Sequence, residues 1–362
     1  MTQTDGTRRF RQARAIGAAM LAVALAACSE SATGPGDAST LDTQGAEANL
    51  TSLDGFFSSA QWRSFEAFGG RVDGSGVSAA VTPTIGEAGA DKGAVAEAAR
   101  RLVAATSQIP LISAGSLGKT FVIDPSTGEY APDPARTGAP SNGVRFILYA
   151  SIDGSDAPDL ETEIGYVDLL DNGAGTPGVD LRLVAVAEGT TFLDYRVAVE
   201  GDETAGSISV DGFLLDEGDR LDFSFVGVVV DNGGVPTLSV SATLDVDSRD
   251  FHVAIDLDGV GQESDGTFTL DLSLSFEDQS VTIAATVEDG NMSAVFRVNG
   301  NVFATAEGNP DEPTIVGADG EPLSVDEIRV LGEIIEIADD VLEFLDELLE
   351  PAGNIIALGI IL

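Results

Sequence analysis

A mainly β fold is predicted here: a large curved antiparallel meander of about 12–13 strands packed on a long C-terminal amphipathic helix, with short N-terminal helices. Three features predict it. Between about Lys119 and Glu307 apolar residues recur at every second position. Turn signals rich in Gly, Asp and Asn break that run with no helix-length segment between them. From Ser324 the apolar period becomes helical and stays so to Glu350. Strands buried on one face give the first pattern and hairpins the second; parallel crossovers would need intervening helices.

Composition narrows the function before any motif is read. The chain of 362 residues carries 60 Asp+Glu against 18 Lys+Arg, a net charge of −42. That field opposes broad nucleic-acid binding, which rests on Lys and Arg neutralising phosphates. One Cys, Cys28, and one His, His252, exclude a disulfide framework and a Cys/His zinc site. Apolar content of 43% is enough for a large core, and 42 Gly with 6% aromatics fit a turn-rich β protein.

Residues 1–27 read as a secretory leader. Arg8, Arg9, Arg11 and Arg14 form a basic start, and Ala15–Ala24 is apolar but too short to span a bilayer. Leu25-Ala26-Ala27-Cys28 closes it and resembles the lipobox of bacterial lipoproteins. The resemblance implies cleavage between Ala27 and Cys28, a diacylglycerol thioether on Cys28 and acylation of the new amino terminus. Three acyl chains suffice for stable anchoring. Ser29 after the Cys implies, by the same resemblance, the outer membrane of a diderm bacterium. Thr7-Arg8-Arg9-Phe10 only faintly resembles a twin-arginine signal, since Arg11 stands where an apolar residue is wanted.

The polar stretch up to residue 50 is expected to be a flexible tether following the lipidated Cys28, and residues 51–110 a short helical segment. Leu53, Phe57, Trp62, Phe65 and Phe68 fall on one half of a helical wheel; Val95, Ala98, Leu102 and Ala105 make a weaker second stripe. The sheet domain is placed at 111–310. Its cleanest runs are Phe268 to Phe276, Val281 to Val287 and Leu238 to Val246. Asp289-Gly290 and Asn299-Gly300 are two-residue hairpin signals, and Asp258-Gly259 is read as a further break. Val226, Val228 and Val230 put apolar groups on a face that Asp222 and Ser224 make polar, so Gly227 marks a bulge or the strand is covered on both sides.

Residues 311–362 are assigned to the C-terminal helix and an apolar tail packed on the sheet. Ser324 and Glu327 form a capping box, and Pro351 with Gly353 ends the helix after Glu350, giving ~40 Å. Its apolar face fills half the wheel, wider than a coiled-coil seam, and places Ile335, Leu342 and Leu345 in the core.

The chemistry-bearing residues point away from catalysis. His252 lies opposite Phe251, Val253 and Ile255, on the polar face of a strand, with no Gly-x-Ser-x-Gly elbow in the chain. Ser116-Leu117-Gly118-Lys119 matches a bare Ser-x-x-Lys pattern, and Gly118-Lys119-Thr120 the end of a phosphate loop. Ser113 replaces the first Gly of that loop, and Phe121-Val122-Ile123 reads as a strand where a helix is required. Asp153, Asp156 and Asp159, and Asp256, Asp258, Glu263 and Asp265, are read as loop acids off the spacing of a calcium loop; weak Ca²⁺ association is the most they predict. No cofactor and no catalytic or resident metal site is expected.

Asp133-Pro134-Ala135-Arg136-Thr137-Gly138-Ala139-Pro140, leading into Val144 to Tyr149, resembles sequence of uncharacterised envelope lipoproteins over roughly a sixth of the chain. That resemblance implies no activity. The expected function is a lipid-anchored cell-envelope protein with a non-catalytic structural or interaction role, its membrane partner reached through Cys28. The alternative is a periplasmic carrier of an apolar ligand, because an amphipathic sheet plus an apolar helix is similar in layout to lipid-ferrying half-barrels. A transmembrane barrel is disfavoured, since four Tyr and one Trp cannot build two aromatic girdles.

Overall fold

The computed structural model describes residues 43–72, 112–151, 158–173, 178–202, 204–216, 218–231, 233, 235–260, 266–310, 312–338 and 341. The leader with Ala27 and Cys28, the stripe from Val95 to Ala105, and Leu342 and Leu345 lie outside them. So do Asp153, Asp156, Glu263 and Asp265.

Among the described residues two helices come first, α1 (Thr43–Ser58) and α2 (Ala60–Val72). Ser59 parts them: its Oγ accepts from the Trp62 amide at 3.1 Å, an N-cap bond that starts a fresh helix in a new direction. The tether expected up to residue 50 is therefore helical from Thr43 onward. Polar composition concealed this, because α1 owes its order to docking through Leu53, Phe56 and Phe57, all buried near its C-terminal end.

Fifteen strands then form one open sheet, ordered β15-β14-β13-β12-β11-β10-β9-β8-β7-β6-β5-β4-β3-β1-β2. They are β1 (Thr120–Ile123), β2 (Tyr130–Pro132), β3 (Gly143–Ser151), β4 (Pro158–Asp171), β5 (Gly178–Ala187), β6 (Thr190–Gly201) and β7 (Ala205–Asp216). There follow β8 (Asp219–Asp231), β9 (Pro236–Val246), β10 (Phe251–Val260), β11 (Thr267–Phe276), β12 (Gln279–Glu288), β13 (Asn291–Val298), β14 (Asn301–Asn309) and β15 (Glu312–Gly317). From β3 to β15 each strand pairs with the next in sequence, as the turn signals predict. Asp289 and Asn299 take φ of 49° and 50°, with Gly290 and Gly300 at 76° and 77° after them, the backbone that matches hairpin twist.

Four features differ from the expectation. The sheet reaches Gly317, so β15 occupies sequence assigned to the helical end; Pro313 disguised it, and as an edge strand it tolerates that residue. The pair β1·β3 is parallel, made by a short crossover through β2. Asp258-Gly259 is no break but lies inside β10, in register with Thr269 and Phe268. Finally, β8 has no bulge at Gly227, which pairs in register with Ile208 and Val240. Nor is β8 covered on both sides, since Val226 is 40% exposed on the outer face.

One contiguous core fills the inner face. Alternate residues of the strands enter it, for example Phe251, Val253, Ile255 and Leu257 of β10, while their neighbours face out. Aromatic rings run from helix to sheet. Phe57, Trp62, Phe65 and Phe68 succeed one another at 5.1–6.0 Å, and Phe68 meets Phe146 of β3 at 5.2 Å. Helix α2 packs on β3 and β4, and α1 reaches β7 and β11. The C-terminal helix α3 (325–338) adds Val330, Leu331, Ile334 and Ile337, with Val341 beyond. Its capping box is formed as expected: the Ser324 amide donates to Glu327 Oε2 at 2.8 Å, and the Glu327 amide to Ser324 Oγ at 3.4 Å. Ile335 packs on the core half-buried. For the three α-helices among the described residues to share one core with so many strands the sheet must coil around them, as wide twisted sheets do.

Candidate functional site

The outer face concentrates the charged chemistry of the molecule. One feature of this face is an open groove of about 610 Å³ over β5–β9, lined by Arg182, Asp194, Arg196, Asp211, Phe213 and Arg220 among others. Strand register builds it. Arg182 of β5 stands directly opposite Arg196 of β6, and Arg196 opposite Asp211 of β7. Two like charges in register repel unless each finds a counter-ion. Each reaches diagonally. Arg182 Nε donates to Asp194 Oδ1 at 2.7 Å, and its Nη2 to Oδ2 of the same carboxylate. Arg196 donates from Nε and Nη2 to Asp180 at 3.0 and 2.8 Å.

Arg220 completes the set. Its Nε and Nη2 donate to Asp222 two residues along β8, at distances down to 2.6 Å, and its guanidinium lies 4.0 Å from the centre of the Phe213 ring. The carboxylates hold all three guanidiniums above their ordinary pKa. In return the Arg196 hydrogen bond pulls Asp180 below the ordinary carboxylate value, and Asn172 Nδ2 at 3.3 Å acts in the same sense. The groups stay half in water, with Arg side chains 50–52% exposed, so these are positioning contacts more than sources of stability.

The residues singled out from sequence fall around this groove or away from it. His252 is on the outer face of β10, half-exposed, and its Nδ1 bonds Asp245 directly opposite on β9. Ser116 and Lys119 sit in the segment before β1; the Ser116 and Ser113 hydroxyls are 3.0 Å apart, and the chain enters a strand at Thr120. Asp159 is no loop acid: it lies near the start of β4, in register with Ala150, and accepts from the Glu161 amide at 3.1 Å and the Thr162 hydroxyl at 2.6 Å. Asp256 and Asp258 are not loop acids. They are outward residues of β10, and Asp256 faces Asp271 of β11. An Asp at alternate positions of a strand reads like a turn when its partner strand is unknown. Among the described residues no group of three or more His, Cys, Asp or Glu is placed to hold a metal ion.

Sequence reasoning missed the arginines. The signal was available in the Glu188-Gly189 hairpin, whose turn residues both take positive φ; folding the chain there sets residue 182 against 196 once the bulge at Ala185/Val186 is allowed for. The other end of the outer face differs. Ile123, Ile147 and Tyr149 are buried there in a small second cluster, and Arg145 bridges Asp168 at 2.7 Å while stacking 3.6 Å over Tyr166.

Fold and groove together define an open meander sheet coiled around helices, apolar within and ion-paired without. No protein-family model, curated protein or solved structure matches this chain. Its function must be argued from its own residues.

Proposed function

We propose that the chain is a lipid-anchored protein of the cell envelope, held by acyl chains on Cys28, with a non-catalytic structural or interaction role. Leu25-Ala26-Ala27-Cys28 behind a basic and apolar leader carries this reading. A lone Cys placed there has a chemical purpose that a buried structural Cys would not serve. The outer face supports an interaction role, because its ionisable groups are arranged for recognition: His252 is tied to Asp245, and Arg182, Arg196 and Arg220 each to an aspartate. General acid–base work calls instead for a group free to exchange its proton with a substrate. The carrier of an apolar ligand is less well supported, since α1, α2 and α3 already occupy the inner face of the sheet.

The test is metabolic labelling with a clickable fatty acid. The wild-type protein is expected to be tagged and to fractionate with membranes, and C28A to lose both properties. Equal labelling of the variant would sink the proposal.

A further inference from the structure

We propose that the groove over β5–β9 binds a small zwitterion, a molecule carrying an ammonium group close to a carboxylate or phosphate. Three guanidiniums converge on it in a chain where acids outnumber bases 60 to 18. Each spends Nε and Nη2 on an aspartate, which leaves Nη1 outside those bonds on a side chain that is 50–52% exposed. The aspartates thus fix the direction of each fork without consuming it. An arginine so held loses little freedom on meeting an anion, and charge-assisted bonds of that kind are strong and directional.

A plain anion does not satisfy the site. Asp194, Asp211, Asp222 and Asp245 line the groove beside the three arginines, and the whole chain is at −42, so a ligand with only negative charge enters against the field. A plain cation is drawn by the four aspartates but leaves the free edges of the three guanidiniums without an anion. Asp211 resolves the choice. It stands in register between Arg196 and Ser224 and is exposed; its carboxylate makes no side-chain hydrogen bond with another described residue, although its charge helps to hold the Arg196 guanidinium above its ordinary pKa. An ammonium at Asp211 with its anionic group on the Nη1 edges uses both signs of charge. The groove, about 610 Å³ and open to solvent, has room for a small ligand lying along the sheet, and the Phe213 ring under Arg220 offers a flat wall.

The experiment is a calorimetric titration of the full chain, purified in detergent, with four probes: glycylglycine, phosphoethanolamine, acetate and ethylammonium. At least one zwitterion is expected to bind about tenfold more tightly than either single-charge probe, and which one binds better tells a carboxylate ligand from a phosphate one. D211N leaves all three Arg–Asp pairs in place and is expected to abolish that preference; R196Q is expected to weaken binding about tenfold or more. The proposal is overturned by either of two results: no saturable binding of a zwitterion up to ~10 mM, or a preference that survives D211N. The C28A chain serves equally well as the titrated protein, so failure here is separable from failure of the anchor.

Discussion

The two faces of the same strands obey different rules. On the inner face, identity follows from burial alone: Phe223 and Phe225 of β8, or Val253 and Ile255 of β10, are apolar because they lie in the core. On the outer face, identity follows from a charged partner, which lies on the neighbouring strand for Arg182, Arg196 and His252, whereas Arg220 finds Asp222 on its own. Arg182 makes sense only beside Asp194, Arg196 only beside Asp180, and His252 only beside Asp245. The inner face therefore carries the stability of the fold, and the outer face holds its paired charges. Desolvated apolar area is worth far more than ion pairs in water, so the two faces should respond very differently to substitution.

The largest effect is expected on the inner face. Phe146 is 1% exposed, stacks on Phe121 at 5.2 Å and meets Phe68 and Tyr130 at the same separation, so it joins α2 to three strands. Phe146→Ala should cost ~3–5 kcal/mol in denaturant unfolding, with full loss of the rings' contacts. A cost below ~1 kcal/mol would mean that the core at this end repacks, and that the two faces differ little in their response to substitution.

A residue between the two regimes comes next. Gly212 of β7 pairs with Tyr195 on one side and Phe223 on the other, and those two rings, from strands that are not neighbours, approach to 5.4 Å. They meet by leaning across the glycine, which shields its bare backbone. A Cβ at 212 would lie 2.1 Å from the Asp194 carbonyl oxygen. Gly212→Ala should therefore shift β7 against β6, cost about 1–3 kcal/mol, and disturb the Arg182–Asp194 pair that the same residue carries. Loss of zwitterion binding together with that destabilisation would tie the groove to the register beneath it; unchanged stability would show that the strand can slide.

What could be read from sequence divides along the same line. Alternation reports which side chains are buried, and it located the strands; the Ser324/Glu327 pair located the start of α3, because a capping box is local. The valines of β8 misled, because Val226, Val228 and Val230 satisfy a strand's preference for branched residues without being inside the core. The groove stayed hidden for a different reason. Arg182 and Arg196 are fourteen positions apart, and a bulge decides whether they meet; a one-residue slip would turn one of them inward. Inner-face composition is set by a single strand, whereas outer-face chemistry is a property of pairs. One sequence shows the first directly and the second only after folding.

The smallest expected effect is also the sharpest test of the outer face. Arg196 holds Asp180 below the ordinary carboxylate pKa, so the ionised form is favoured in the folded chain. A depressed carboxylate contributes stability that is present above its unfolded value, near ~3.9, and lost as pH falls through the folded one. Asp180→Asn should then destabilise by ~0–1 kcal/mol at pH 7, because Arg196 is 50% and Asp180 21% exposed. The gap between variant and wild type should close as the medium is acidified below ~pH 4. A competing term has the opposite sign, since removing any acid from a chain at −42 relieves repulsion. Asp256→Asn isolates it: Asp256 faces Asp271 across β10 and β11, and loss of that like-charge pair should leave stability unchanged or slightly raised. Opposite signs for the two variants at pH 7, converging in acid, would show that the outer face is organised by specific pairs. The same sign for both would reduce it to a sum of surface charge, and the ordered guanidiniums of the groove would lose their physical basis.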